Sequence, residues 1–283
     1  MPQTCYRHPN RETAVSCSSC GRPICPDCMT PTPVGMRCPE CANQRTRVVR
    51  NPTGEPSGLS AHLAVYPATV ILIAINVIVY LVEVAKGGGG TNIGTLELFN
   101  MGALFGPAVG EGGEWWRMIT AGFVHVSVLH IAFNMYLLFI LGRLMEPSIG
   151  TPRFVVLYFA SLLAGSFAAL LIEPNTVGAG ASGAIFGVLG ATFVIARGRR
   201  LDAIAGQIGI LILINLVFTF ADSSISIGAH VGGLVCGILC GLLIAAGERG
   251  MLGESSPRGR LAVELGSMAA LGVLSFVLGL AVA

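Results

Sequence analysis

Seven long apolar runs, separated by short polar segments, cover the chain from about residue 67 to its end. They lie at 67–85, 127–145, 153–172, 182–196, 202–220, 227–246 and 261–283. A helix needs about 20 apolar residues to cross the hydrocarbon core of a bilayer, so the pattern predicts seven transmembrane helices. The run at 182–196 is the shortest, and its neighbours are what make it credible as a span.

Composition agrees with a polytopic membrane protein. Hydrophobic residues make up 53% of the 283 positions and charged residues only 11%, whereas about a quarter of the residues in a soluble protein are charged. The mean hydropathy is +0.74. The net charge of +2 does not indicate a nucleic-acid partner, because the basic residues stand beside the apolar runs as topology signals.

The first 60 residues differ in kind from the rest of the chain. They carry seven of the nine cysteines, many prolines and arginines, and no apolar run long enough for a signal peptide. The stretch "NQRTRVVRNPTGEPSGLS" that follows the cysteines has the composition of a linker. We therefore predict a small soluble head at 1–45, a linker at 46–62, a membrane core of six helices at 63–247, and a cytoplasmic loop with a seventh helix at 248–283.

Positive residues are concentrated on one side of the predicted spans. If the head is cytoplasmic, that side receives Arg45, Arg47, Arg50, Arg143, Arg153, Arg197, Arg199, Arg200, Arg249, Arg258 and Arg260, and the outer side receives Lys86 and Arg117. Short loops rich in Lys and Arg remain in the cytoplasm. The sequence thus predicts a multi-pass plasma-membrane protein with a cytoplasmic N-terminus and an external C-terminus. The preference for arginine over lysine and the absence of organelle-targeting features favour a bacterial membrane.

Eight residues of the head form four pairs with two residues between the partners. The pairs are Cys5 and His8, Cys17 and Cys20, Cys25 and Cys28, and Cys38 and Cys41. Such ligands in sets of four are typical of tetrahedral zinc sites, so we predict two zinc ions. The alternative is a disulfide framework, which a cytoplasmic location disfavours. Sites closed by four protein ligands are structural, which makes the head a binding or regulatory module, with a cytosolic protein as one candidate partner.

Polar residues within the spans are candidates for function, because they are costly to bury in lipid. The second span opens with "HVSVLHIAFN". His130 and Asn134 are four residues apart and therefore share one helical face. His125 lies a further turn towards the outer surface.

Small residues predict a close contact between the fourth and sixth spans. In the sixth span, His230 is followed by a glycine ridge, and in the fourth span Ser182 stands at the helix start beside Gly183. The ridge is formed by Gly233, Gly237 and Gly241. Such ridges let two helix backbones approach closely, so Ser182 and His230 can reach each other. A hydroxyl with a base beside it and free backbone N–H groups around it is an arrangement suited to nucleophilic catalysis.

Together these residues resemble the rhomboid family of intramembrane serine proteases. The motifs that carry the resemblance are "GASG" at 180–183, "AHVGG" at 229–233, "HVSVLHIAFN" at 125–134 and "EWWR" at 114–117. They occur in the family's order within a core of about 66–247. The motif "GxSG" alone would be weak, but the four together are specific.

The resemblance implies a fold, a site and a substrate class. The fold is an all-α polytopic membrane protein, with a six-helix rhomboid core and one extra C-terminal helix. Ser182 and His230 are implied as a catalytic dyad, with His130, Asn134 and the Ser182 backbone N–H as the oxyanion hole. The supporting residues are His125, Phe186, Gly180, Gly183, Gly233 and Gly237. The implied substrate is a single-span transmembrane protein in the lipid bilayer, cut near the outer face through an acyl-enzyme.

One departure from the family pattern and one further resemblance concern single parts of the chain. Phe186 stands where the family often has a tyrosine stacked on the catalytic histidine, so a ring is kept but its hydroxyl is lost. The head resembles the B-box type of zinc-binding domain, in which alternate pairs share a metal. That resemblance implies Cys5, His8, Cys25 and Cys28 on one ion, and Cys17, Cys20, Cys38 and Cys41 on the other.

Other function classes account for fewer of these features. A proteolytically inactive relative that binds transmembrane clients is expected to lack the nucleophile or the base, and the sequence contains both. A transporter or channel is expected to show repeated half-structures or a polar stripe through the bilayer, whereas the polar groups here gather near one side. The sequence thus predicts a serine endopeptidase that uses no cofactor for catalysis.

Overall fold

A computed structural model describes residues 3–32, 35–43, 58–86, 92–253 and 256–283. The chain divides into two compact units, Met1–Glu55 and Pro56–Ala283, which we call the head and the membrane unit. Most of the predicted linker at 46–62 lies outside the described residues. Its last residues belong to a helix that begins at Leu59.

Short strands and turns form the head around its cysteines. β1 (Gln3–Thr4) pairs antiparallel with β2 (Glu12–Thr13), and β3 (Thr30–Thr32) pairs antiparallel with β4 (Gly35–Arg37). A 3₁₀ turn lies between the two hairpins, and α1 (Pro39–Asn43) follows them. The core of the head consists of cysteine side chains together with Ile24. A core this small needs an additional staple to hold its fold.

The membrane unit is helical. Its helices are α2 (Leu59–Val65), α3 (Pro67–Lys86), α4 (Thr95–Asn100), α5 (Gly106–Gly110), α6 (Arg117–Thr120), α7 (Val128–Ile149), α8 (Thr151–Ile172), α9 (Ser182–Gly198), α10 (Asp202–Ala221), α11 (Ile227–Glu248) and α12 (Pro257–Val282). Among the described residues, six helices are long and apolar enough to cross a membrane: α3, α7, α8, α10, α11 and α12. α9 is also apolar but has 17 residues, the lower limit for a span.

The predicted spans correspond in order to α3 and to α7 through α12, and their ends agree within about one helical turn. The largest differences arise where polar residues complete a helix. Glu146 in the last turns of α7 accepts hydrogen bonds from the backbone N–H groups of Ala68 (2.9 Å) and Thr69 (2.8 Å) at the start of α3. Ser256 caps α12 by accepting from the N–H of Gly259 at 3.0 Å. Hydropathy does not register such polar ends, so it placed them outside the helices.

α9 lies at the centre of the membrane unit and packs against α7, α8, α10 and α11. Its contact with α11 is made by backbone atoms. A Cβ atom added to Gly233 would lie 1.9 Å from the carbonyl oxygen of Gly183, and one added to Gly237 would lie 1.9 Å from that of Gly187. The glycine ridge of α11 therefore faces α9, as the spacing of small residues predicts.

The additional helix α12 packs along α8. A Cβ atom on Gly272 would lie 3.1 Å from the Cα atom of Ala160, so the two helices are close at this level. Nearer the start of both helices, Arg153 forms an ion pair with the buried carboxylate of Glu264. The extra helix is thus attached to the core by packing and by charge.

The segment between α3 and α7 contains α4, α5 and α6 and is organised by Arg117 of the "EWWR" motif. The guanidinium of Arg117 is buried, donates to the carbonyl oxygens of Phe99 (2.7 Å) and Ala103 (2.8 Å), and pairs with Glu114. It also lies over the Phe99 ring, 4.0 Å from the centroid. One side chain thereby joins three parts of this segment.

Candidate active site

The hydroxyl of Ser182 and the imidazole of His230 are in hydrogen-bond contact. Ser182 is the first residue of α9, His230 lies in the first turn of α11, and the distance from Ser182 Oγ to His230 Nε2 is 2.8 Å. Ser182 is half-buried and His230 is buried. This is the geometry that a general base requires to take a proton from a nucleophile.

Backbone contacts between α9 and α11 set this distance. Gly183 lies next to Ser182, and its carbonyl oxygen is the atom that Gly233 approaches. On its other side, a Cβ atom on Gly183 would lie 3.0 Å from the carbonyl oxygen of Ala229, the residue before His230. A larger side chain at either glycine would push the helix ends apart, so both glycines position the Ser182–His230 pair.

The ring of Phe186 stacks on the ring of His230. Their centroids are 4.1 Å apart and their planes are inclined by 20°. Phe186 is one turn after Ser182 on α9 and is buried. An aromatic ring at this position therefore holds the imidazole plane without a hydroxyl group.

His130 and Asn134 of α7 lie on the other side of Ser182. A Cβ atom on Gly180 would lie 2.7 Å from Cε1 and 2.9 Å from Nε2 of His130, and 3.7 Å from Ser182 Oγ. Gly180 also has a φ of +134°, a conformation that other residues rarely adopt. The side-chain amide of Asn134 donates to the carbonyl oxygen of His130 at 3.0 Å, which leaves its second N–H free for another acceptor.

His125 is fully buried behind His130, with the two ring centroids 5.1 Å apart. Its backbone N–H donates to Glu83 at 3.2 Å, and its Nδ1 lies 3.2 Å from the carbonyl oxygen of Phe123. A carbonyl oxygen can only accept, so Nδ1 carries the proton. Burial, and secondarily the nearby His130, lowers the pKa of His125 to about 3. A neutral His125 therefore supports the position of His130.

Two polar residues of α10 were not singled out as site residues by the sequence. The hydroxyl of Thr219 lies 2.6 Å from Nδ1 of His230. Asn215 donates to the carbonyl oxygen of Leu211 at 2.8 Å and lines the cavity beside the pair. The available signal was a threonine near the end of the fifth span, but nothing in its spacing links it to a histidine on another helix.

A cavity of about 360 Å³ opens at this end of the membrane unit. Its walls include Ser182, His230, His130, Asn134 and Phe186. The remaining wall is largely apolar. The cavity therefore brings together the predicted nucleophile, base and oxyanion donors.

The described part of the head contains two groups of four residues that could each hold a metal ion. The groups are Cys5, His8, Cys25 and Cys28, and Cys17, Cys20, Cys38 and Cys41. The Nδ1 atom of His8 lies 3.3 Å from the Sγ of Cys25 and 3.4 Å from that of Cys28. In the other group, the Sγ atoms of Cys20 and Cys38 are 3.8 Å apart. Alternate pairs therefore meet in space.

Comparison with known proteins gives matches in the membrane unit. Residues 112–247 match a family model described as Rhomboid domain. Rhomboid protease GluP of Bacillus subtilis (strain 168) is 39% identical over 170 residues, which are 59% of this chain and 32% of that protein. Putative rhomboid protease YdcA of the same organism is 34% identical over 127 residues, which are 43% of this chain and 63% of that protein.

A third relative carries a different description. Inactive RHOMBOID-like protein 8 of Arabidopsis thaliana is 30% identical over 151 residues, which are 50% of this chain and 42% of that protein. The chain thus spans less than two thirds of each of these three relatives. Four residues that line the cavity lie within the matched range 112–247, namely Ser182, His230, His130 and Asn134. The membrane unit thus contains a Rhomboid domain at residues 112–247 and is similar in sequence to rhomboid proteases.

Proposed function

We propose that this protein is an intramembrane serine endopeptidase with Ser182 as the nucleophile and His230 as the general base. The observation that carries the proposal is the 2.8 Å contact between Ser182 Oγ and His230 Nε2 in the wall of a cavity of about 360 Å³. The names of two relatives, GluP and YdcA, describe them as a rhomboid protease and a putative one. Catalysis needs no cofactor in this proposal.

The chemistry proceeds in two steps. In the first, Ser182 Oγ attacks the scissile carbonyl carbon while Nε2 of His230 takes the hydroxyl proton, and the same proton then passes to the leaving amine as the peptide C–N bond breaks. The product is an acyl-enzyme ester on Ser182. In the second step, His230 takes a proton from water and the resulting hydroxide attacks the ester carbonyl carbon. The bond between that carbon and Ser182 Oγ then breaks, the carboxylic acid product leaves, and the proton returns from His230 to Ser182 Oγ.

The developing oxyanion is stabilised by donors on two helices. Asn134 has a free amide N–H, His130 presents Nε2 towards Gly180, and the N–H groups in the first turn of α9 have no partners within their own helix. Donors of this kind that already point at the oxyanion position are worth about 10²–10³-fold in rate each. The helix dipole of α9 adds a positive end at Ser182.

The substrate is proposed to be a single-span transmembrane protein, cut near the outer face. α9 has 17 residues, which at 1.5 Å per residue span about 25 Å, less than the ~30 Å hydrocarbon core. If its last turn reaches one face, Ser182 lies below the other face, where a membrane-anchored segment can reach it. The charge asymmetry of the loops supports an orientation with the head in the cytoplasm and the site near the outside. The preference for arginine over lysine supports a bacterial plasma membrane as the location.

The test is labelling of the purified, full-length protein by a fluorophosphonate probe, together with cleavage of a single-span peptide. The parent is compared with Ser182→Ala and His230→Ala. Ser275→Ala is the matched control, because Ser275 lies on α12 and only donates to Leu271 at 2.8 Å. We expect labelling and cleavage in the parent and in Ser275→Ala, and loss of both in the other two.

One result would overturn the proposal: a folded parent that neither reacts with the probe nor cleaves any of a panel of single-span peptides. That result would favour a protein that binds transmembrane segments without cutting them; one relative of the chain is named as inactive. Binding of the uncut peptides would then be measured directly by fluorescence anisotropy.

We further propose that the head holds two structural zinc ions. Tetrahedral zinc with Zn–S bonds near 2.3 Å and Zn–N bonds near 2.1 Å requires S···S edges of about 3.8 Å and S···N edges of about 3.6 Å. The distances across the two groups are 3.8 Å for Cys20 to Cys38 and 3.3–3.9 Å from His8 to its three cysteines. The residues thus fit zinc, with His8 as an Nδ1 ligand. Both sites are closed by four ligands, which supports a regulatory or partner-binding head.

Metal analysis tests this proposal. The parent should contain two zinc ions per chain, one for each group, and His8→Ala should retain about one. Cys236→Ala is the control, because Cys236 lies in α11 and belongs to neither group, so it should keep the parental content. A parent with no stoichiometric zinc after expression in zinc-supplemented medium would contradict the proposal.

A further inference from the structure

Thr219 joins the site from a helix that carries none of the reacting groups. It is 1% exposed and lies near the end of α10. Its hydroxyl has two neighbours: the carbonyl oxygen of Asn215 at 2.7 Å and Nδ1 of His230 at 2.6 Å. Because the hydroxyl has a single hydrogen, these two short contacts constrain where that hydrogen lies.

The position of that hydrogen decides which nitrogen of His230 is protonated. A carbonyl oxygen can only accept, so a hydroxyl 2.7 Å from it must donate, because two lone pairs at that distance repel each other. The Thr219 oxygen is then left as an acceptor towards His230. Nδ1 must therefore carry a proton, and in the neutral ring Nε2 carries none. An Nε2 without a proton, 2.8 Å from Ser182 Oγ, is the acceptor that a general base needs.

We propose that Thr219 is a positioning residue that holds His230 in its Nδ1–H tautomer and in the ring orientation that directs Nε2 at Ser182. This inference rests on the proposed function, in which His230 is the base. It assigns to a neutral hydroxyl on α10 the orienting task that a carboxylate performs in a Ser-His-Asp triad.

The other contact of the ring cannot perform this task. Phe186 stacks on His230 with 4.1 Å between centroids, which fixes the plane of the imidazole. A half-turn about the Cβ–Cγ bond of His230 keeps that plane and that stacking, but it places carbon atoms where Nδ1 and Nε2 were. Stacking also does not depend on which ring nitrogen is protonated. The hydrogen bond to Thr219, in contrast, depends both on the orientation of the ring and on which nitrogen is protonated.

The same bond contributes during the reaction. When Nε2 takes the Ser182 proton, the ring becomes an imidazolium ion, and Nδ1–H continues to donate to the Thr219 oxygen. Hydrogen bonds from charged donors are stronger than those from neutral ones, so the contact strengthens as the charge develops. A hydroxyl carries no charge, so its loss should cost far less than loss of a triad aspartate: about tenfold in kcat, on the scale of one hydrogen bond.

Three variants separate positioning from packing. Thr219→Val keeps the shape and removes the hydroxyl, whereas Thr219→Ser keeps the hydroxyl. Thr192→Val is the matched control: Thr192 is 2% exposed on α9 and donates to the carbonyl oxygen of Val188 at 2.6 Å. The same change there removes the same kind of bond to a helix carbonyl, without a histidine.

Two readouts are made on the full-length protein in detergent. Nitrogen NMR of ¹⁵N-histidine-labelled protein, with the His230 signals assigned by their absence in His230→Ala, reports which ring nitrogen is protonated. Peptide-cleavage kinetics report kcat and KM. We expect Nδ1–H in the parent, in Thr219→Ser and in Thr192→Val, and a mixture or Nε2–H in Thr219→Val. We expect about tenfold lower kcat at similar KM for Thr219→Val, and near-parental kcat for Thr219→Ser.

The outcomes divide cleanly. An Nε2–H tautomer in the parent overturns the inference without any variant having to fold, and so does a folded Thr219→Val that keeps both the parental tautomer and the parental kcat. If the parent shows Nδ1–H and Thr219→Val loses it, but no variant or parent cleaves any peptide, Thr219 positions His230 and it is the proposed protease function that fails.

Discussion

Replacing Gly233 with alanine should move α11 away from α9 and disable the Ser182–His230 pair. The new Cβ atom would lie 1.9 Å from the carbonyl oxygen of Gly183, whereas ordinary contacts begin at about 3.4 Å. The obstructing atom belongs to a helix backbone and cannot rotate away. Relief of the clash therefore requires a local separation of the helices by about 1.5 Å.

The separation should affect the chemistry more than the fold. Overpacking of this kind typically costs about 1–3 kcal/mol of stability. Gly233 lies less than one turn after His230 on α11, so a shift at Gly233 moves the imidazole as well. A shift of that size takes the contact between Ser182 Oγ and His230 Nε2 from 2.8 Å to beyond hydrogen-bond range. Loss of a general base costs about 10²–10⁴-fold, so the labelling rate should fall at least about 100-fold.

The assay compares fluorophosphonate labelling rate with thermal unfolding followed by tryptophan fluorescence. Both tryptophans of the chain, Trp115 and Trp116, lie in the membrane unit, so the signal excludes the head. Gly206→Ala on α10 is the control, because a Cβ atom there has no atom within 4 Å, and it should label at the parental rate with equal or higher stability. Parental labelling by Gly233→Ala would refute the reasoning that backbone contact sets the dyad distance.

Three further predictions address the support of the site and the fold. Phe186→Leu should lower the labelling rate about 2–10-fold, the value of one stacked aromatic pair, because it frees the His230 ring; an unchanged rate would contradict this. Because burial lowers the pKa of His125 to about 3, below its unfolded value, stability should be intact above about pH 6.5 and fall on acidification by up to ~1.4 kcal/mol per pH unit. His125→Gln should flatten that fall in fluorescence-monitored unfolding, and an equally steep profile would be inconsistent. Glu264→Ala should destabilise the membrane unit by about 3 kcal/mol, since it breaks a buried ion pair, whereas the partly exposed Glu248→Ala should cost at most about 1 kcal/mol.

The order and limits of the helices follow from the sequence because hydrophobicity over about 20 residues is a property of consecutive positions. Hydropathy identified the six long apolar helices of the described membrane unit and also α9, which has 17 residues. It ended α7 too early and began α12 too late, because the ends of both helices carry polar residues. Glu146 of α7 accepts from backbone N–H groups at the start of α3, and Ser256 caps the start of α12. Those bonds reach other segments or satisfy the first turn, and neither effect appears in a hydropathy average.

The site could be predicted in part for the same reason. Spacing places His130 with Asn134, and His230 with its glycine ridge, on single helical faces, and small residues indicate that a partner lies close. Spacing does not reveal which residue of a third helix faces a given atom. The sequence analysis therefore did not identify Thr219 as a site residue, although it stands only eleven residues before His230. The metal-ligand pairs of the head were easier to predict, because two Cys or His residues separated by two positions are a typical zinc-ligand pair.

The membrane environment explains why glycines carry so much of this site. In lipid, apolar side chains gain nothing by turning towards another helix rather than towards acyl chains, so close packing must hold helices together. Gly233 against the Gly183 carbonyl and Gly237 against the Gly187 carbonyl are two contacts one turn apart. Two such points fix both the separation and the register of α9 and α11. A slip of one residue would move His230 by about 1.5 Å along the axis, more than a hydrogen bond tolerates. The glycines one and two turns below the cavity therefore set the position of His230 relative to Ser182, on which the proposed chemistry depends.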